Sequence, residues 1–240
     1  MKNNLSFVFL MLVFTACTSG SLTDQFFGNL SKNQGVVTLE ATHHLEDGSA
    51  GEITPEGYKV FSNDLGYQIE LSDADLYFQE LNLLSTGDDP LCQGGFDQSL
   101  PVDEAHSLLD EDMVGTHMGS FAVPMVFFCQ FEWVLGDAAT EAFHFVGTWS
   151  KDGESGTFDL MGHAPIFITG VFQAEENGEV IVHPLHFHEG ETEVEVMFST
   201  EYDALFSGMD FKTQDNDGQL DTIYKNFPHA IHQDVSGHDH

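Results

Sequence analysis

Arginine is absent from this 240-residue chain, which has only six lysines against 40 aspartate and glutamate residues. The formal net charge of −34 excludes nucleic acid as a partner, because binding to a phosphate backbone depends on Lys and Arg. Phosphorylated ligands and anionic lipid surfaces are equally disfavoured, because no guanidinium is present to hold them. Cations are therefore the expected ligands. For most of the acidic residues, the simpler alternative is a solvating coat.

Catalytic motifs are also lacking. The chain has no Gly-x-Ser-x-Gly elbow, no His-Glu-x-x-His helix and no phosphate-binding glycine loop. With two Trp and five Tyr against 22 Phe, it offers few rings for a sugar-binding platform. These absences favour a binding protein over an enzyme, and a metal-dependent enzyme is the alternative.

Short runs of β-branched and aromatic residues, separated by Gly, Asp, Asn and Ser, predict many strands and few helices. We expect one all-β domain over 36–228, an antiparallel β-sandwich with long loops and one or two short helices. The predicted strands are 36–44, 57–62, 66–71, 74–84, 121–134, 142–149, 156–161, 165–174, 178–188 and 192–199. Short helices are expected at 202–207 and 221–226, and a long loop at 87–120.

The N-terminus predicts export. Residues 1–16 have a lysine, an apolar run and small residues before Cys17, which is typical of a cleaved signal peptide. The sequence before Cys17 is similar to a lipoprotein cleavage site, so Cys17 is the expected lipidated residue and 17–35 a flexible tether. Thr18 after this cysteine is similar to the pattern of lipoproteins sent to the outer membrane, here facing the periplasm. The alternative is an ordinary secretory signal.

Two cysteines, Cys92 and Cys129, remain once Cys17 is assigned to lipid. In an oxidising compartment we expect them to form a disulfide. Cys129 lies in an apolar run, so a buried free thiol is the alternative.

The segment 182–195 is the most informative part of the chain, because it combines three histidines with four glutamates. His186 and His188 share one face of an extended strand, and a two-residue turn at 189–190 would place Glu191 and Glu193 opposite them. Imidazole nitrogens and carboxylate oxygens suit copper or zinc. The sequence therefore predicts a metal site here, with His183 as a further ligand; a solvated hairpin is the alternative.

Other histidines are candidates for the same or a second site. His43 and His44 fall on opposite faces of the first predicted strand, and we favour His44 as a ligand. His229 and His232 are three residues apart and would share a face if that segment were helical. They open the histidine-rich tail 229–240. The isolated histidines carry little signal: His106, His117, His144 and His163.

An acidic loop over 213–221 partly matches a calcium-binding loop, with Asp215, Asp217 and Asp221 as oxygen donors. The first and last positions of that motif would be Thr213 and Tyr224, which do not fit. An Asx-rich turn is therefore favoured, and calcium is a secondary expectation.

The beginning of the domain combines Val37-Thr38-Leu39, His43-His44 and Gly48 with the segment 61–84. This pattern resembles methanobactin-associated MbnP-like proteins, and the resemblance extends more loosely to 200–211 and 226–230. It implies an exported β-sandwich that binds copper, with His44 as a ligand and a tryptophan, Trp133 or Trp149, modified near the metal. The histidines at 186 and 188 lie outside this pattern.

We therefore expect a lipid-anchored protein that binds copper or zinc for sequestration or for delivery to a transport system. Its expected partners are the metal ion, the membrane through the lipid alone, and an outer-membrane transporter or periplasmic redox protein. The alternative is an acidic β-sandwich surface module that binds carbohydrate, calcium or a partner protein.

Overall fold

A computed structural model describes residues 33–87, 90–92, 94–137, 139–176 and 179–234. Within these ranges it has fourteen strands and two helices. The strands are β1 (Gln34–His44), β2 (Glu52–Ile53), β3 (Lys59–Ser62), β4 (Gln68–Leu84), β5 (Gln98–Ser107), β6 (Thr116–Pro124), β7 (Gln130–Leu135), β8 (Phe143–Lys151), β9 (Glu154–Gly162), β10 (Ile166–Val171), β11 (Gln173–Glu176), β12 (Glu179–Val182), β13 (Glu193–Glu201) and β14 (Ile231–Asp234). The helices are α1 (Tyr202–Leu205) and α2 (Asn216–Ala230).

Two main sheets give the all-β, sandwich-like fold that the sequence predicts. One has four strands in the order β14-β13-β1-β6. The other has eight and is built around β4, which pairs with β3, β5, β7 and β8. All pairings in the second sheet are antiparallel, whereas β1 and β13 of the first run parallel.

The core contains most of the large apolar side chains and lies between the sheets. Phe131 and Trp133 on β7 meet Phe198 on β13, with ring centroids 4.9 and 5.1 Å apart. All three are buried, as the alternation of apolar residues along both strands predicts. These contacts join the two sheets.

Strand β4 is one 17-residue element where the sequence predicts two strands, 66–71 and 74–84. Its register shifts between Leu71 and Asp73 and again between Phe78 and Glu80. Such irregularities bend a strand without ending it, which allows β4 to pair with four neighbours.

The long loop predicted over 87–120 is wrong, because it contains β5 and the first part of β6. Strand β5 includes Pro101 and two exposed acids, Asp103 and Glu104, which favour a loop in sequence analysis. Leu100, Val102 and His106 nevertheless face inward along it. The predicted strand 121–134 is likewise two strands, β6 and β7.

The helices lie close to the predicted positions, although α2 is longer than 221–226 and begins at Asn216. Asp215 is its N-cap, and the side chain accepts a hydrogen bond from the Gly218 N–H at 3.0 Å. The tail predicted from residue 229 begins with ordered structure, since β14 pairs with β13.

Cys92 and Cys129 form a disulfide, as predicted. Cys17, the signal peptide and most of the tether lie outside the described residues, as does the end of the tail from residue 235. No helix in the part of the chain described above has the length and apolar character needed to cross a bilayer.

Candidate functional site

The segment 183–192 is not the hairpin that the sequence predicts. Strand β12 ends at Val182 and pairs with β11, whereas β13 pairs with β1 and β14. A turn does form at the predicted place, because the Glu191 N–H donates to the His188 carbonyl at 3.0 Å. The expected cross-strand pairs of histidine and glutamate are therefore absent from this segment.

Two apolar residues fix this segment to the fold. Leu185 is buried and exchanges two backbone hydrogen bonds with Phe128, at 2.9 and 2.8 Å. Phe187 packs against the core, over Gly35 of β1. His186 lies between these two anchors, so the fold restricts its backbone.

The three histidines of the segment are neighbours in space. The ring centroids of His183 and His186 are 5.2 Å apart, and those of His186 and His188 are 4.5 Å apart. Phe127 contacts the His186 ring with a centroid separation of 5.0 Å. The three imidazoles therefore form a continuous row, which we call the histidine cleft together with the acids beside it.

One hydrogen bond determines the tautomer of His186. Its Nδ1 lies 2.8 Å from the Pro184 carbonyl oxygen, which can only accept, so Nδ1 carries the proton. In the neutral ring the lone pair is then on Nε2. A backbone carbonyl that holds Nδ1–H in this way is the usual support of a metal-binding histidine.

Glu191 and Glu193 also line the cleft, which has a volume of about 180 Å³. Each already has a partner within the fold. The Glu191 carboxylate accepts the His188 N–H at 2.9 Å, and the Glu193 carboxylate accepts the Thr38 hydroxyl at 3.1 Å. Both glutamates are exposed and supply negative charge beside the imidazoles.

Among the described residues, no group of three or more His, Cys, Asp or Glu side chains has the arrangement of a formed metal site. A metal in the histidine cleft would therefore need side-chain rotations. His188 is exposed and His186 is half-buried, so both rings have room to turn.

His44 and His232 meet at the other end of the four-stranded sheet. Their ring centroids are 6.2 Å apart, and His232 Nε2 lies 3.8 Å from a carboxylate oxygen of Glu201. His44 Nδ1 donates to the Leu45 carbonyl at 2.7 Å, so its lone pair too is on Nε2. Burial raises the pKa of Glu201, although His44 acts in the opposite direction.

These residues do not belong to the histidine cleft. In the parallel register Val36 lies opposite Glu193 and His44 opposite Glu201, eight residues further along β1. At about 3.3 Å per residue the two ends are roughly 26 Å apart. The prediction that His229 and His232 share one face of a helix is wrong, because α2 ends at Ala230 and His232 lies on β14.

The acids of the predicted calcium loop have structural contacts. Asp215 caps α2, and the Asp221 carboxylate contacts the Lys225 ammonium one turn along the helix. Calcium binding there stays a prediction.

Trp133 packs against Phe78 and Phe198 in the core, with ring centroids 4.8 and 5.1 Å away, so its surroundings are aromatic.

A buried polar cluster escaped sequence analysis. Lys59 and His43 are fully buried, and each contacts the Asp112 carboxylate; the His43 Nε2 lies 3.1 Å from Oδ1. His43 Nδ1 is 3.0 Å from His106 Nε2. In the sequence, one indication was available: Lys59 alternates with Phe61 on a short strand and so takes an inward position. No local pattern links Lys59 or His43 to Asp112.

The buried cluster shifts the pKa values of His106 and Asp112. Burial lowers the pKa of His106 to about 3, with a further contribution from His43 and Lys59, so the ring is neutral. Burial alone would raise the pKa of Asp112, but hydrogen bonds from His43 and Lys59 hold it well below its usual value.

The fold and the cleft define a sandwich-like all-β protein that carries a row of surface imidazoles. Comparison with protein-family models, with curated proteins and with solved structures found no match to this chain. The resemblance to MbnP-like proteins stays a prediction.

Proposed function

We propose that the protein binds one transition-metal ion, copper or zinc, in the histidine cleft. His186 and His188 are the principal ligands, and His183, Glu191 and Glu193 complete or orient the site. The observation that carries this proposal is the row of three imidazoles in which the Pro184 carbonyl holds Nδ1–H of His186. That contact leaves Nε2 as the donor atom to the metal.

The charge of the chain supports the same function. A net charge of −34 raises the concentration of cations near the surface, and Glu191 and Glu193 place part of that charge at the cleft. Imidazole nitrogen favours copper or zinc over calcium or magnesium, which prefer oxygen ligands.

The role that follows is binding without turnover. As an exported lipoprotein anchored through Cys17, the protein would sequester the ion or deliver it to a transport system or a redox partner at the outer membrane. A separate, weaker site at His44 and His232 is part of this proposal, because the Leu45 carbonyl gives His44 the same tautomer as His186.

The test is elemental mass spectrometry on the tag-free chain, purified without chelator, followed by competitive titration with copper and with zinc. We expect one tightly bound equivalent, which the double variant His186→Ala/His188→Ala loses. Changes to outer-shell partners alone reduce metal affinity by about 10- to 100-fold, so loss of both ligands should reduce it by at least about 100-fold.

Two further double variants control for histidine number. His117→Ala/His163→Ala removes two exposed histidines outside the cleft and should leave the tight equivalent unchanged. His44→Ala/His232→Ala should remove only the weaker site. Full stoichiometry and affinity in His186→Ala/His188→Ala would refute the cleft, and no metal under any loading condition would favour the carbohydrate or partner-binding module.

A further inference from the structure

Lys59 and Asp112 form a charged pair inside the protein. The Lys59 side chain is fully buried and that of Asp112 is 3 % exposed, and the ammonium contacts Oδ1 of the carboxylate. The Lys59 ammonium also donates to the Asp110 carbonyl at 3.0 Å and lies 5.0 Å from the centroid of the Tyr202 ring. Burial lowers the pKa of Lys59, although Asp112 acts in the opposite direction.

The other carboxylate oxygen has two donors. Asp112 Oδ2 accepts the Gly51 N–H at 2.7 Å and the Tyr202 hydroxyl at 2.9 Å. Two donors on one oxygen are the arrangement that stabilises the oxyanion of a tetrahedral intermediate in acyl transfer.

His43 can carry protons to and from Oδ1. Its Nε2 lies 3.1 Å from both Asp112 Oδ1 and the Asp110 carbonyl oxygen, so it bears the proton and points it at the carboxylate. Its Nδ1 lies 3.0 Å from His106 Nε2, and this neutral ring fixes the imidazole of His43 in place.

We propose that Lys59 and Asp112 condense to an intramolecular isopeptide bond, with His43 as the proton carrier and Tyr202 and the Gly51 N–H as the oxyanion-stabilising donors. A buried amine in contact with a carboxyl group, together with an acid–base residue and two donors, supplies each group that amide formation requires.

The reaction balances without a co-reactant. Lys59 first gives one proton to Oδ1, which converts the ion pair to an amine and a carboxylic acid. Nζ then attacks Cγ, and the oxyanion forms on Oδ2. Its collapse breaks the Cγ–Oδ1 bond, and the departing hydroxyl leaves as water. His43 gives its Nε2 proton to this hydroxyl and takes the extra proton of Nζ in the same step, so the imidazole ends in its starting form.

The bond would join the two sheets. Lys59 begins β3 of the eight-stranded sheet, whereas Asp112 lies in the turn between β5 and β6. The next residue, Met113, donates its N–H to the carbonyl of His43 on β1 of the four-stranded sheet, at 3.0 Å. Lys59 would therefore be attached covalently to a segment that is held on the opposite sheet.

The absence of arginine makes the test simple, because trypsin can cut only after the six lysines. In the denatured, reduced and alkylated full chain, a free Lys59 gives separate peptides 33–59 and 60–151. An acylated Lys59 is not a trypsin site, so we expect a single peptide 33–151 that is lighter than the linear sequence by one water.

A second digestion locates the bond. Cleavage after glutamate should yield residues 57–70 joined to 112–132 as one branched peptide, which fragmentation assigns to Lys59 and Asp112. This step distinguishes the bond from cyclisation at Asp47-Gly48, which also loses water but falls in a different peptide. Complete tryptic cleavage after Lys59, with no branched peptide, would overturn the proposal.

Variants test the assigned roles. Asp112→Ala should give separate peptides 33–59 and 60–151. Asp112→Asn should form the same bond with loss of ammonia, and its product should have the mass of the wild-type product. His43→Gln should slow bond formation by about 100-fold or more, as removal of a general acid–base residue does. Tyr202→Phe, which keeps the ring, should slow it through loss of one donor.

Discussion

Phe187 packs so closely on Gly35 that a methyl group added to Gly35 would lie 2.3 Å from the Phe187 ring. Gly35 is the second residue of β1, and Phe187 lies between the two histidines proposed as metal ligands. The absence of a side chain at Gly35 is therefore what allows the histidine cleft to lie against the sheet.

Gly35→Ala should destabilise the protein by about 1–3 kcal/mol, the usual range for an overpacked contact. It should also weaken metal binding, because Phe187 must move and would take His186 and His188 with it. Urea unfolding and metal titration of the same sample measure both effects.

Gly218→Ala is the matched control. Gly218 lies in α2, where the nearest atom to an added methyl group would be 3.3 Å away, and alanine is the better helix former. We expect unchanged metal binding and a change in stability smaller than that of Gly35→Ala. If Gly35→Ala behaved like this control, Phe187 would not position the cleft.

The disulfide should contribute strongly to stability. It closes a loop of 37 residues, which corresponds to about 3–4 kcal/mol in the chain-entropy model. In urea unfolding, the free energy of unfolding of the double variant Cys92→Ser/Cys129→Ser should be lower than that of wild type by this amount. Wild-type protein unfolded in the presence of a reductant should be as unstable as the variant. Equal unfolding midpoints with and without reductant would contradict the prediction.

His106 should make stability depend on pH. Its pKa is about 3 in the folded protein and about 6.5 in the unfolded chain. Between these values the unfolded chain binds more protons, so the free energy of unfolding falls as the pH falls below about 6.5. The contribution reaches at most about 1.4 kcal/mol per pH unit.

His106→Gln should reduce this slope, because glutamine does not titrate. Urea unfolding of wild type and variant at several pH values gives the difference between the two slopes, in which the contribution of the carboxylates largely cancels. Parallel pH profiles would show that His106 is not neutral in the folded protein.

Asp215 should stabilise α2 as its N-cap. Asp215→Ala removes the acceptor for the Gly218 N–H and should decrease stability by about 0.5–2 kcal/mol. Thermal unfolding with and without calcium separates this role from calcium binding. An increase in melting temperature with calcium that is lost in Asp215→Ala would show that the loop also binds the ion.

Local patterns were enough to predict many of the strands and the approximate helix positions, because alternation and capping act over a few residues. They failed where the decisive partner is remote. Sequence analysis placed Glu191 and Glu193 opposite the histidines because a hairpin is the nearest pairing available. The true partner of Glu193 in the sheet is Val36, 157 residues away in the chain.

The same limit applies to the buried cluster. Lys59 and Asp112 are 53 residues apart, and each is ordinary in its own segment. Their significance appears only when the fold removes both from solvent. His44 and His232 also became neighbours through strand pairing, although the helical spacing used to group His232 with His229 does not occur.

The parallel pairing of β1 with β13 also affects how the chain can fold. The register pairs Val36 with Glu193, so β1 cannot pair with β13 until the chain has been synthesised beyond residue 193. Contacts of such long sequence separation form slowly. The four-stranded sheet can therefore be completed only after β13 has been synthesised, whereas all strands of the eight-stranded sheet precede β13 in the chain.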